Sequence, residues 1–141
     1  MTYLKPLPEI SERNQAFWDG LKERKFLLPK CADCGCVNWV PYPACRNCLS
    51  SDQRWIEASG RAKLYSYTIV HRGPGAFGQE VPYVIAYAEL DETNGNQRPV
   101  IVMGNLVDCP HESIEIGMPL DIAYEDIPDE DVTLYRFVAR A

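Results

Sequence analysis

The sequence predicts a mainly β protein in which an N-terminal helix and a small cysteine-bearing ribbon precede a five-stranded barrel. Three observations support this prediction: two closely spaced cysteine pairs, alternating apolar residues after Gly60, and turn-forming residues between the alternating runs. The chain has 141 residues, of which 46% are apolar and 24% are charged, the balance of a folded globular protein. This length is typical of one domain, or of one domain with a small appendage.

The first 25 residues predict an extended arm followed by an amphipathic helix. Ser11 is expected to cap a helix over residues 12–24, because apolar side chains recur there at helical spacing. The apolar stripe of such a helix must dock either on this chain or on a partner. Aromatic side chains dominate the energetics of protein interfaces, so the candidate partner-binding residues are Phe17, Trp18 and Leu21.

Residues 26–59 hold two C-x₂-C pairs that predict a metal site. Cys31 and Cys34 form the first pair, and Cys45 and Cys48 form the second. Thiolates are favoured ligands of structural zinc, which takes four of them in a tetrahedral arrangement. The spacing therefore predicts a compact, rubredoxin-like zinc ribbon, with iron as the chemical alternative. Because four thiolates leave no position for a water molecule, the expected role of the ion is structural.

Two further cysteines lie outside these pairs. Cys36 is expected to be a spare thiol beside the metal site, and Cys109 is expected to be part of the barrel core. A pairing of Cys109 with His71 or His111 as nucleophile and base has no orienting third group in the sequence. We therefore expect no catalytic residues in this chain.

Residues 60–141 predict a β-barrel. Alternating or apolar runs predict five strands, over residues 63–72, 82–91, 99–108, 120–125 and 132–140. Five antiparallel strands in so short a segment match a small closed barrel, of which the OB-fold is the commonest form. Strict alternation in the first strand places Leu64, Ser66, Thr68 and Val70 on one face, and Tyr65, Tyr67 and Ile69 on the other.

The loop between the first two predicted strands is rich in glycine. Its sequence GPGAFG suits either a binding surface or an ordinary long barrel loop, and its notable members are Gly73, Gly75, Phe77 and Gly78. A phosphate-binding role is disfavoured because the loop joins two strands, whereas phosphate cradles use the N-terminus of a helix.

Charge is divided unevenly along the chain. Residues 1–60 carry eight basic and seven acidic side chains, whereas residues 61–141 carry six basic and thirteen acidic ones. An acidic barrel disfavours nucleic-acid binding through a broad basic face. The N-terminus lacks the apolar core of a signal peptide, and no apolar run approaches the roughly 20 residues of a membrane span. We therefore expect a cytoplasmic protein.

The order of several short motifs resembles a known family. These motifs are Phe17-Trp18, Cys31-x₂-Cys34-Gly35, Pro41 and Pro43 before Cys45-x₂-Cys48, Trp55, Ser59-Gly60, Ser66-Tyr67-Thr68, Pro82-Tyr83, and Gly104 before Val107. Together they resemble the acyl-CoA-associated family that joins a rubredoxin-like zinc ribbon to a C-terminal OB-fold, long catalogued as a domain of unknown function. The resemblance extends over residues 10–140.

The resemblance implies a non-catalytic accessory subunit of a CoA-thioester enzyme in a hetero-oligomer. The partner would be a thiolase, a thiolase-like lipid-transfer aldolase or a hotdog-fold enoyl-CoA hydratase, acting on sterol or fatty-acid side chains. The family implies that the helix and the ribbon dock on the partner. It also implies that the OB-fold helps to form an acyl-CoA channel, for which the glycine-rich loop is the candidate segment.

Two other functions are considered beside the accessory role: a stand-alone acyl-CoA-binding protein and a single-stranded nucleic-acid-binding OB-fold. The sequence also departs from the family in the segment before Cys45, which reads WVPYPA and lacks the arginine or lysine of many relatives. This departure weakens the expectation that the chain itself holds CoA phosphates. The resulting division of the chain is an arm and docking helix at 1–25, a zinc ribbon at 26–59 and an OB-fold at 60–141.

Overall fold

A helix, a two-stranded ribbon and a closed five-stranded barrel follow one another in the computed structural model, which describes residues 5–140. The elements are α1 (Gln15–Lys22), β1 (Leu27–Cys31), β2 (Gln53–Glu57), β3 (Arg61–Val70), β4 (Tyr83–Leu90), β5 (Ile101–Leu106), β6 (Pro119–Ile127) and β7 (Val132–Ala139). The predicted fold class is confirmed. Residues 1–4 of the predicted arm lie outside the described residues. Within residues 5–140, no helix combines the length and apolarity needed to cross a membrane.

The barrel closes in the strand order β3-β4-β5-β7-β6. Its neighbouring strands are antiparallel except β5 and β7, which run parallel and pair at Leu106 and Phe137. This arrangement is a closed barrel of the OB type. Apolar side chains from several strands fill its core, and the buried ones include Leu64, Val84, Ala88, Val102, Leu120 and Phe137.

The strict alternation predicted for the first barrel strand is wrong beyond Leu64. The register between β3 and β4 shifts between Leu64 and Ser66, which leaves Tyr65 as the extra residue of a β-bulge. An inserted residue exchanges the two faces of a strand. The core therefore receives Leu64 before the bulge but Tyr67 and Ile69 after it.

Helix α1 docks on this chain. The Phe17 and Leu21 side chains are only 3% and 0% exposed. The Phe17 ring lies 5.1 Å from the rings of Phe26 and Trp39, measured between ring centroids. Two of the three side chains predicted to bind a partner therefore pack inside this chain, where they join the helix to the ribbon and the barrel. The third, Trp18, is half-buried.

The helix begins three residues later than its predicted start. Its N-cap is Asn14 rather than Ser11. The Asn14 side chain accepts a hydrogen bond from the Ser11 backbone N–H at 2.7 Å and donates one to the Glu9 carbonyl at 3.1 Å. These bonds stabilise a turn ahead of the helix. Inside the helix, a Cβ on Gly20 would lie 2.9 Å from the Leu27 side chain, so glycine permits the close approach of α1 and β1.

The side chain of Asn96, in the loop between β4 and β5, connects the barrel to the ribbon. The Val37 backbone N–H donates to Oδ1 of Asn96 at 2.8 Å, and Nδ2 of Asn96 donates to the Val37 carbonyl at 3.0 Å. The same Nδ2 donates to the Arg98 carbonyl at 2.7 Å. The Asn96 amide thus pairs with both backbone groups of one ribbon residue.

Gly104 in β5 lies where two aromatic rings of β7 crowd the barrel wall. A Cβ atom there would lie 2.7 Å from Cε2 of Phe137 and 3.0 Å from Cε2 of Tyr135. We expect Gly104→Ala to lower the free energy of unfolding by about 1–3 kcal/mol, the usual cost of overpacking. Urea denaturation measures this change. The cost should shrink in a Phe137→Leu background, and an equal cost in both backgrounds would contradict the explanation.

Candidate functional site

The first cysteine pair occupies a tight turn that begins at Cys31, the last residue of β1. The backbone N–H of Cys31 donates to the Cys36 carbonyl at 2.9 Å, and the Gly35 N–H donates to the Cys31 carbonyl at 2.9 Å. Gly35 has a φ of 78°, a left-handed conformation that glycine adopts readily. The turn therefore directs the sulfurs of Cys31 and Cys34 towards a common point.

The second pair repeats this turn position for position. The Cys45 N–H donates to the Ser50 carbonyl at 2.8 Å, and the Leu49 N–H donates to the Cys45 carbonyl at 2.9 Å. Leu49 directly follows the second pair, just as Gly35 directly follows the first. Like Gly35, Leu49 adopts the left-handed conformation, with a φ of 67°. The two turns thus form matching halves of one site.

The four predicted ligand atoms lie together. The sulfurs of Cys31 and Cys48 are 3.5 Å apart and those of Cys34 and Cys45 are 3.6 Å apart, while all four sulfurs lie within 4.8 Å of one another. A tetrahedral ion with metal–sulfur bonds of about 2.3 Å requires sulfur–sulfur distances of roughly 3.8 Å. The residues therefore fit a four-thiolate metal site. The buried Cys36 lies beside this cluster and outside it, with its sulfur 3.6 Å from the Val37 carbonyl oxygen.

The thiols of the cluster differ in acidity. Burial raises the pKa of the Cys45 thiol, but hydrogen bonds, including one from the backbone of Cys48, outweigh burial and lower it to about 6. The backbone N–H of Ser50 favours the Cys48 thiolate. The adjacent sulfurs oppose it, that of Cys31 most strongly, and raise the pKa of Cys48 to about 12. The protein alone therefore does not favour four neighbouring negative charges. A bound cation would supply the charge that lets all four sulfurs ionise.

Asn38 connects the parts of the ribbon around the cluster. Its side chain is buried, with the residue 2% exposed. Its Oδ1 accepts the backbone N–H of Arg46 in the second turn at 3.3 Å, and its Nδ2 donates to Oε1 of Gln53 in β2 at 3.2 Å and to the Cys36 carbonyl at 3.4 Å. Sequence reasoning missed this residue, because nothing in its local pattern distinguishes it from a loop asparagine.

We expect Asn38→Ala to weaken metal binding by about 10- to 100-fold, as the loss of residues that orient metal ligands usually does. The reason is that the second turn loses its link to β2. Competition with a chromogenic chelator measures the affinity. Asn94→Ala, at an exposed position in the loop between β4 and β5, is the matched control and should bind metal as the unaltered protein does. Equal affinities of the two variants would contradict the role of Asn38.

The predicted channel loop folds into a short 3₁₀ helix at Gly75–Gln79. Within it, Phe77 is half-buried and packs on Tyr83, with 5.8 Å between the ring centroids. A Cβ on Gly73 would lie 2.9 Å from the Phe77 backbone, so the loop closes tightly on itself. Gly75 adopts a φ of 53°, and Gly78 is exposed.

A groove of about 340 Å³ lies next to this loop. Its lining includes Lys5, Glu80, Tyr83, His111 and Arg136, which come from distant parts of the chain. The Lys5 ammonium pairs with the Glu80 carboxylate at 2.8 Å. Cys109 is half-buried and also lines the groove. Because these residues are far apart in sequence, no local motif indicated the groove.

Family models match both halves of the chain. Residues 18–53 match the model described as "ChsH2, rubredoxin-like zinc ribbon domain". Residues 55–125 match the model described as "ChsH2, C-terminal OB-fold domain". The boundary between the two matches falls within β2, the second strand of the ribbon.

Curated relatives and a solved structure extend this similarity. The chain is 38% identical over 95% of its length to a protein of Thermomonospora curvata named "Probable enoyl-CoA hydratase alpha subunit", and it spans 40% of that relative. It is 33% identical over 80% of its length to a "DUF35 domain-containing scaffold protein" of Methanocaldococcus jannaschii, and it spans 77% of that protein.

The solved structure is a chain of the "Ltp2-ChsH2(DUF35) aldolase". The present chain matches it with 32% sequence identity and a TM-score of 0.80. The match covers 94% of the present chain and 98% of the chain in that structure. The likeness extends through the ribbon and the barrel. The chain therefore belongs to the ChsH2 family, also named DUF35, in which a zinc-ribbon domain precedes a C-terminal OB-fold domain.

Proposed function

We propose that this chain is a non-catalytic accessory subunit of a CoA-thioester enzyme. The observation that carries the proposal is its likeness to a chain of the Ltp2-ChsH2(DUF35) aldolase, because the match covers 98% of that chain rather than a fragment. The candidate partners are a thiolase-like aldolase or thiolase and a hotdog-fold enoyl-CoA hydratase. The relative named as a hydratase alpha subunit supports the hydratase. The family resemblance favours a sterol or fatty-acid side chain as the acyl group.

Co-purification and reconstitution test this function. The tagged full chain is isolated from its native cells, and the proteins that accompany it are identified by mass spectrometry. We expect a thiolase-like or hydratase protein in fixed stoichiometry, and an acyl-CoA reaction by the purified complex that the accessory chain alone does not perform. A chain that elutes without such a protein, or that turns over acyl-CoA by itself, would overturn the proposal.

We infer that the ion of the ribbon is structural Zn²⁺. Four clustered cysteine sulfurs and the match of residues 18–53 to a zinc ribbon support this assignment. The protein purified from cells supplied with both metals should be colourless and contain one zinc per chain. A coloured protein with one iron per chain would instead identify a rubredoxin-type iron site.

We also propose that the glycine-rich loop helps to form an acyl-CoA channel. The support is its position: Phe77 packs on Tyr83, which lines the adjacent groove. In the reconstituted complex, Phe77→Ala should raise the KM for acyl-CoA while complex formation is unchanged. Calorimetry with a long-chain acyl-CoA on the isolated chain tests the stand-alone carrier, since micromolar binding without a partner would favour that function instead.

The three helix residues take different parts in this proposal. Phe17 and Leu21 are buried in this chain, so they act by fixing the position of the helix. Trp18 is half-buried and keeps the proposed role of a direct partner contact.

A further inference from the structure

The second cysteine turn presents an exposed apolar surface. A groove of about 290 Å³ lies here, and the residues around it that define the knuckle patch are Tyr42, Pro43, Ala44, Arg46 and Leu49. Leu49 is 78% exposed and Tyr42 is 49% exposed, although both are large apolar side chains. An exposed apolar groove is a common feature of protein-binding surfaces.

The Leu49 side chain is neither favoured by its backbone conformation nor packed in the interior of its own chain. Its counterpart in the first turn is Gly35, and both positions have the left-handed conformation, with φ values of 67° and 78°. Glycine adopts this conformation freely, whereas leucine is disfavoured there. A strained, exposed leucine at a position suited to glycine points to a contact outside the chain.

The rim of the knuckle patch is cationic. The Arg46 guanidinium lies 5.1 Å from the centroid of the Tyr42 ring, and Nη2 of Arg98 donates to the Arg46 carbonyl at 3.3 Å. In the part of the chain that the structure describes, neither guanidinium forms an ion pair with a carboxylate. Both side chains are exposed, so the rim presents two guanidinium groups that can pair with acidic side chains of a docked partner.

We propose that the knuckle patch docks on the partner enzyme, with Leu49 inserted in an apolar pocket that has an acidic rim. The proposal rests on the accessory function proposed above and identifies the surface that serves it. The cationic rim selects an acidic partner surface by charge complementarity. A second copy of this chain is a poorer occupant, because a symmetric contact would place each Arg46 near its equivalent.

Leu49→Gly separates docking from folding. The purified partner enzyme identified by co-purification is titrated with the full metal-loaded chain, and we expect Leu49→Gly to weaken its affinity at least tenfold. The melting temperature and the metal content should not fall, because glycine suits the backbone at this position. Leu49→Met should bind the partner with an affinity within about threefold of the unaltered chain, because methionine retains an apolar side chain of similar size.

Matched variants test the location and the charge of the surface. Ile116→Gly removes a comparable side chain, 63% exposed, from the barrel and should leave partner affinity unchanged. Arg46→Glu should slow association, with an effect that diminishes at high salt, whereas Arg72→Glu on an exposed barrel loop should not.

The possible failures are distinguishable. If the unaltered chain binds its partner and Leu49→Gly binds equally well, the knuckle patch is not the docking surface, while the accessory function stands. If the unaltered chain binds no CoA-thioester enzyme, the accessory function itself fails and this inference fails with it. Self-association of the unaltered chain that Leu49→Gly abolishes would make the patch a dimer surface and would also overturn the inference.

Discussion

Loss of the metal should unfold the ribbon. Binding of structural zinc by peptides of this kind releases about 10–16 kcal/mol at neutral pH, and that energy is spent on folding because the unfolded chain has no preformed site. Cys45→Ser removes a buried ligand from one turn of the cluster. We expect this variant to lose its metal and the ordered environment of Trp39, which packs against the core. Metal analysis and tryptophan fluorescence during chelator titration measure both effects.

Cys36 supplies the matched control for this experiment. It is as buried as the Cys31 and Cys45 ligands but lies outside the four-sulfur cluster. Cys36→Ser should therefore retain one metal ion per chain and resist the chelator nearly as well as the unaltered protein. Equal metal loss in Cys36→Ser and Cys45→Ser would show that the ligand set differs from the four sulfurs described above.

Truncation of Phe17 should destabilise the whole chain. Its ring contacts those of Phe26 and Trp39 from the ribbon segment and that of Tyr135 from the barrel, so its removal opens a cavity where three parts of the chain meet. We expect Phe17→Ala to lower the free energy of unfolding by about 3–5 kcal/mol, the usual cost for a buried phenylalanine. Urea denaturation of the metal-loaded protein measures the change.

An exposed residue provides the control for the Phe17→Ala measurement. Ile116→Ala should change the free energy of unfolding by no more than about 0.5 kcal/mol, because the side chain is 63% exposed. If Phe17→Ala were as stable as Ile116→Ala but failed to bind the partner, the Phe17 side chain would belong to the interface rather than to the core.

The sequence carried enough information for the fold class because its strongest signals are local. The two C-x₂-C pairs specify tight turns, and runs of alternating residues specify strands, so both could be recognised before any contact was known. The helix illustrates the limit of such signals. Its apolar stripe predicted burial, but periodicity contains no information about which surface packs against the stripe. In the structure, the stripe packs against other parts of this chain.

Other features escaped prediction for specific physical reasons. The bulge at Tyr65 adds one residue to a strand whose composition is uniformly suited to β-structure, so the pattern did not reveal the exchange of faces. Asn38 and Asn96 act through partners that fold alongside them, and an isolated asparagine has no sequence signature for such contacts. The exposure of Leu49 was equally hidden, because only the matching geometry of the two turns reveals that leucine occupies a glycine position.

The contact between Asn96 and Val37 also links the two surfaces for which functions are proposed above. Because the side-chain amide hydrogen-bonds both backbone groups of Val37, the β4–β5 loop helps to hold the ribbon at a fixed distance from the barrel. The knuckle patch lies on the ribbon and the groove lies on the barrel. A longer or shorter loop is therefore expected to change the position of one surface relative to the other. In a complex, such a change would alter the distance between the proposed docking surface and the groove.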